Sequence, residues 1–119
     1  MSKILPFQPA TTDATATVDA KVRFAIANRR LMQFHYGGNL RVVEPHDYGV
    51  IGNVPRLLVY QRSKVGSAGS QAIGWRLLDL PKIVTCVVLD DTFSGGREDP
   101  NQQHYVWDLL YARVDGPMS

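Results

Sequence analysis

The chain has 119 residues, enough for one domain with one core, and its 45% hydrophobic and 20% charged residues are ordinary for a globular protein. No apolar run approaches the ~20 residues that span a bilayer, and Met1–Pro6 lacks the apolar stretch of a signal peptide, so a cytoplasmic location with no membrane partner is expected. The net charge is only +2, no block of five like charges suggests a nucleic-acid-binding arm, and one cysteine excludes an internal disulfide.

Residues 1–17 read as a flexible leader, because the small, polar stretch Pro9–Thr17 buries too little apolar surface to offset its ordering entropy. Thr17 or Asp19 then offers an N-cap. Val18, Val22, Ala25 and Ile26 fall on one helical face, predicting a helix over 18–30 whose basic end, Arg29 and Arg30, complements the helix dipole. From residue 31 the period changes to two. Leu31–Tyr36 reads as a strand closed by the hairpin signal Gly37-Gly38-Asn39, and Leu40–Glu44 as a second strand ending at Pro45. Arg56–Arg62 makes a third strand after the turn-like Gly52-Asn53-Val54-Pro55, and Lys64–Ser70 a Gly/Ser loop. Ala72–Leu78 and Ile83–Leu89 are the fourth and fifth strands, separated at Pro81. Ser94–Gln103 reads as a loop, and Tyr105–Val114 as a sixth strand or a short helix. One helix followed by five or six short strands predicts a mainly β single domain over 18–119, either a small barrel or a strongly bent sheet.

Charge is distributed unevenly. Residues 1–82 carry eleven Lys and Arg against five acids, whereas residues 83–119 carry two Arg against six acids. A basic body with an acidic tail suits anion binding on one face, or simply a scattered, solvated surface. Cys86 lies among Val84, Thr85, Val87 and Val88 and reads as a core residue rather than a nucleophile. No phosphate-binding glycine loop, dinucleotide fingerprint or nucleophile elbow is present. His35, His46 and His104 stand apart, so neither a metal site nor a cofactor is expected, and a trio such as Ser63, His46 and Asp47 has no supporting spacing. A binding protein is therefore expected rather than an enzyme.

Tyr36 to Phe93 carries the most specific pattern: Tyr36, Arg41 and Pro45 in Y-GG-N-L-R-V-V-E-P-H-D-Y-G, Tyr60 in P-R-L-L-V-Y-Q-R-S, Trp75, Arg76 and Ile83 in G-W-R-L-L-D-L-P-K-I, and Phe93 closing L-D-D-T-F. This stretch resembles the WYL domain, a ligand-sensing module found mostly in bacterial transcription regulators. The name-giving triplet is replaced by Arg56–Tyr60, and 119 residues leave no room for the DNA-binding helix-turn-helix that usually precedes the domain, so the chain is most similar to the stand-alone versions. The resemblance implies an SH3-like or Sm-like barrel. It also implies a groove of basic and aromatic residues holding a nucleotide or single-stranded nucleic acid.

The residues fit that chemistry, since guanidinium groups pair bidentately with phosphates and aromatic rings stack on bases. The candidate ligand residues are Arg41, His46, Tyr60, Arg62, Trp75 and Arg76. Each also has a structural reading. Alternation places Arg41, Val43 and Pro45 on one face and Val42, Glu44 and His46 on the other. If the Val42 face is core, Glu44 needs a buried partner, and Arg76 is the candidate. Gln61 and Arg62 point to opposite faces. Arg62 with Lys64 forms either a phosphate clamp or a solvated hairpin tip, and Trp75 either a stacking platform or a core residue. The alternative to ligand binding is a module that dimerises, or docks on a regulator protein, through exposed sheet edges.

Overall fold

The computed structural model describes residues 17–65, 73–97, 99, 102 and 105–115. The expected leader and most of the Gly/Ser loop lie outside the described residues. Helix α1, Val18–Asn28, starts where Thr17 Oγ1 accepts a hydrogen bond from the Ala20 amide at 3.0 Å. It stops at Arg29, whose left-handed backbone (φ 54°) turns its N–H back to the carbonyls of Ala25 and Ile26. The helix is thus shorter than expected. Arg29 is its cap and Arg30 already begins a strand, so no basic residue sits in the last turn to complement the dipole. Lys21 is buried on the inner face, where its Nζ donates to the Cys86 carbonyl at 2.8 Å.

Six antiparallel strands follow: β1 Arg30–Tyr36, β2 Asn39–Ile51, β3 Val54–Val65, β4 Gly74–Asp79, β5 Val84–Thr92 and β6 Leu109–Arg113. The first hairpin turns on Gly37 and Gly38, both at positive φ, the geometry that matches strand twist and that glycine adopts freely. A 3-10 turn, Leu80–Lys82, carries Pro81 between β4 and β5. The last element is a strand and not a helix. The sheet runs β4-β3-β2-β1-β5, with β6 added to β2. Its two ends, β4 and β5, do not pair with each other, so the sheet is not closed. No helix among the described residues is long and apolar enough to cross a membrane.

Strand β2 organises the domain. One edge pairs along its length with β3, while the other pairs first with β1, through Asn39–Val43, and then with β6, through Asp47–Val50. The strand does not end at Pro45 as its sequence suggests. That residue lies between the β1 and β6 ladders and beside a bulge against β3, the places in a sheet where a missing N–H is tolerated. The bulge makes His46 an extra residue between the pairs Pro45–Val59 and Asp47–Leu58. It also shifts the alternation by one, so that Val43 and Tyr48 both enter the core despite their odd and even positions. The core therefore lies on the Val43 side rather than the Val42 side. At Gly49 the approach of β6 is so close that a Cβ would lie 2.2 Å from the Leu109 carbonyl oxygen and 2.9 Å from the Trp107 ring.

The core joins Val22, Ala25 and Ile26 of α1 to Met32, Phe34, Val43, Leu57, Val59, Leu78 and Val88 of the sheet. Cys86 belongs to it, and burial pushes its thiol up to about 11.

Candidate functional site

Ladder register brings three side chains abreast on the sheet face opposite the core: Trp75 of β4 stands beside Tyr60 of β3, which stands beside Glu44 of β2. The Trp75 and Tyr60 rings meet edge to face with centroids 5.3 Å apart. The bulged His46 turns its ring toward the same layer, 4.8 Å from Trp75 and 5.4 Å from Phe93. Chain following β5 folds over this face. Arg97 lies flat on Tyr60, its guanidinium carbon 3.6 Å from the ring centroid, and Asp99 accepts a 3.0 Å hydrogen bond from Trp75 Nε1.

Glu44 is the hub of this layer and is only 2% exposed. Arg97 grips it side-on, with Nε on one carboxylate oxygen and Nη2 on the other, both at 2.8 Å. Arg62 Nη1 adds a bond at 3.1 Å, and His46 Nε2 lies 3.1 Å from the first oxygen. Burial opposes ionisation, but the hydrogen bonds from Arg97 and His46 outweigh it and bring the carboxyl down to about 2. The same bonds push the Arg97 guanidinium up. The buried partner that Glu44 requires is thus Arg97, assisted by Arg62 and His46. It is not Arg76, whose Nη1 donates to the Trp75 carbonyl at 2.8 Å.

Beyond His46 a second side-on pair repeats the arrangement. Arg113 of β6 places Nε and Nη2 on the two oxygens of Asp47, at 3.0 and 3.1 Å. Between the two pairs opens a cleft of about 260 Å³, lined by His46, Asp47, Gly96, Arg97, Gln102, Arg113 and Val114.

Arg41 lies away from this layer. It is 9% exposed and donates to two neutral acceptors, the Tyr36 carbonyl at 3.2 Å and the Gln61 side-chain oxygen at 3.0 Å. Its guanidinium carbon is 5.1 Å from the Tyr36 ring centroid. Burial lowers its pKa, and the nearby positive charge of Arg76 lowers it further. Arg76 pairs with Val59 in the ladder, so alternation sets it on the face opposite Trp75, toward Arg41.

The six residues singled out in the sequence therefore divide into two groups. His46, Tyr60, Arg62 and Trp75 come together around Glu44, whereas Arg41 and Arg76 gather across the sheet with Tyr36 and Gln61. The expectation that Gln61 and Arg62 face opposite ways holds, since one serves Arg41 and the other Glu44. The Lys64 half of the expected clamp has its side chain outside the described residues. Sequence reasoning missed Arg97, Asp99, Asp47 and Arg113. The available signal was charge count, because Arg97 and Arg113 are the only two basic residues after position 82, and β2 carries a buried acid for each. Compared with known proteins, the chain matches no family model, no curated sequence and no solved structure.

Proposed function

We propose that this domain is a ligand-sensing or regulatory binding module of the WYL type, holding a nucleotide or single-stranded nucleic acid. The observation that carries the reading is Arg41, a buried cation whose described hydrogen bonds end on neutral oxygens, with a second guanidinium, Arg76, beside it. A buried charge calls for an opposite charge, and a phosphate supplies one in a form that guanidinium groups bind well. Tyr36, at the rim of the same group, offers a ring face next to that cation. A long β2, bulged at His46 and paired with three strands, supports an SH3-like or Sm-like barrel as the parent fold. His46, Tyr60, Arg62 and Trp75 then serve as the closed layer that supports the ligand face.

Short single-stranded DNA, titrated at two salt concentrations, tests this. Affinity falls as salt rises, because each phosphate contact releases counterions, and it is lost in Arg41→Met. Absence of binding at high micromolar DNA in low salt would refute the reading.

A second reading has its own observation. Leu109, Leu110 and Tyr111 of β6 are exposed, together with Val106 just before them, and among the described residues the outer edges of β4 and β5 have no strand partner. That surface favours a homodimer or docking on a regulator protein without a small ligand. Light scattering of the free protein separates the two: a dimer abolished by Leu109→Lys, with no DNA binding, favours the second.

A further inference from the structure

We propose that the cleft between Arg97 and Arg113 binds a small oxoanion-bearing ligand, a carboxylate or a phosphate, on the outer edges of two guanidinium groups. Each arginine spends Nε and Nη2 on its carboxylate, Arg97 on Glu44 and Arg113 on Asp47. A guanidinium has five N–H donors in one plane, so a side-on pair leaves a second edge, carrying Nη1, pointing away from the carboxylate. Among the described residues no acceptor takes the Nη1 donors of either arginine. Both side chains are accessible at the cleft, 37% exposed for Arg97 and 56% for Arg113.

The carboxylates act here as orienting groups. They fix each planar fork before any ligand arrives, which lowers the ordering cost of binding. Gln102 also lines the cleft, and its side-chain amide has N–H donors for an anion. Asp47 lines the cleft as well, so an anion is tolerated on the guanidinium edges and not against the floor. The volume of about 260 Å³ holds an oxoanion with a modest substituent and no polymer. The ligand thus differs from the nucleic acid proposed for the Arg41 face, and the two sites are independent.

Amide NMR titrations of the whole chain with sodium phosphate and, separately, sodium acetate read the site directly. Saturable shifts at Gly96 and Val114 are expected with at least one anion, and the tighter of the two identifies a phosphate or a carboxylate as the natural headgroup. The Asp47→Asn, Arg113→Gln double variant removes both charges of the exposed pair without stranding a carboxylate, and should fold and weaken binding about tenfold or more. Gln102→Ala, which touches neither ion pair, should weaken binding by a smaller factor. Shifts that sodium chloride reproduces at equal ionic strength overturn the proposal, as do shifts that fail to saturate or that persist unchanged in the double variant. Shifts at Gly37 and Gly74 report the Arg41 face instead, so either site can fail without the other.

Discussion

The two faces of the sheet near β2 handle buried charge in opposite ways. Around Glu44 the buried charge has counter-charges: the carboxylate is held by Arg97 and Arg62 and bonded to His46, and aromatic rings pack on the layer. Around Arg41 a cation is buried with neutral acceptors and a like charge for company. The first arrangement completes itself and serves the fold. The second places the buried Arg41 on neutral acceptors, the feature on which the proposed binding of an anion rests.

The sharpest way to break the contrast is Arg97→Ala. It leaves Glu44 buried with two weaker partners and should destabilise the domain by about 3 kcal/mol, toward the lower end of the range for breaking a buried pair because Arg62 remains. Chemical denaturation of Arg97→Ala beside Glu44→Gln, Arg97→Met checks it. Rescue by the double variant shows that the stranded carboxylate is the cause, and equal loss in both would assign the effect to packing on Tyr60.

Acid provides a comparable perturbation without changing Arg97. The Glu44 carboxyl titrates at about 2 in the folded protein, against an ordinary value of 4.5. The unfolded chain therefore binds the proton more readily, so this stabilisation is complete above about pH 4.5 and is lost as pH falls toward 2. The span corresponds to about 3 kcal/mol, using 1.36 kcal/mol per pH unit. Melting curves of the wild type and Glu44→Gln across this window should converge as pH falls; parallel curves would remove Glu44 from the acid response.

On the other face the expected effect is smallest. Arg41→Met removes a buried charge but deprives the buried Gln61 oxygen of its donor, and these contributions oppose each other to within about 1 kcal/mol. An unchanged melt with lost DNA binding sharpens the comparison. A large loss of stability would place Arg41 with Arg97 among the structural arginines.

Local pattern made much of the fold legible. The Thr17 cap, the Gly37-Gly38 hairpin and the change of period at residue 31 each follow from interactions within a few residues. The course of β2 was hidden because a proline in a strand ordinarily marks its end, and only the gap between two partner strands makes Pro45 acceptable. The need for Glu44 to be paired was legible only on the condition that the Val42 face were core; the core is on the Val43 side, and Glu44 is buried instead by the layer that folds over its face. Its partner was not legible, since Arg97 approaches from a loop 53 residues away that has no periodicity to orient it. Trp75 and Arg76 stood together among the candidate ligand residues, yet a strand's pleat sends consecutive side chains to opposite faces.

The sharing of one β2 edge by β1 and β6 also sets local contacts beside long-range ones. β1, β2 and β3 are joined by two tight hairpins and close short loops, whereas Arg113 meets Asp47 across 66 residues of chain. Long-range closure costs more entropy and is rewarded only once the hairpins stand. The long-range contacts of Arg97 and Arg113 are therefore the ones whose closure costs most. The strands that carry both carboxylates and their nearest neighbours come from residues 30–65, whereas the side-on guanidinium partner of each carboxylate comes from beyond residue 96. A chain truncated before residue 97 would lose the Arg113 partner of Asp47 and the side-on Arg97 of Glu44 together, leaving Glu44 with Arg62 and His46.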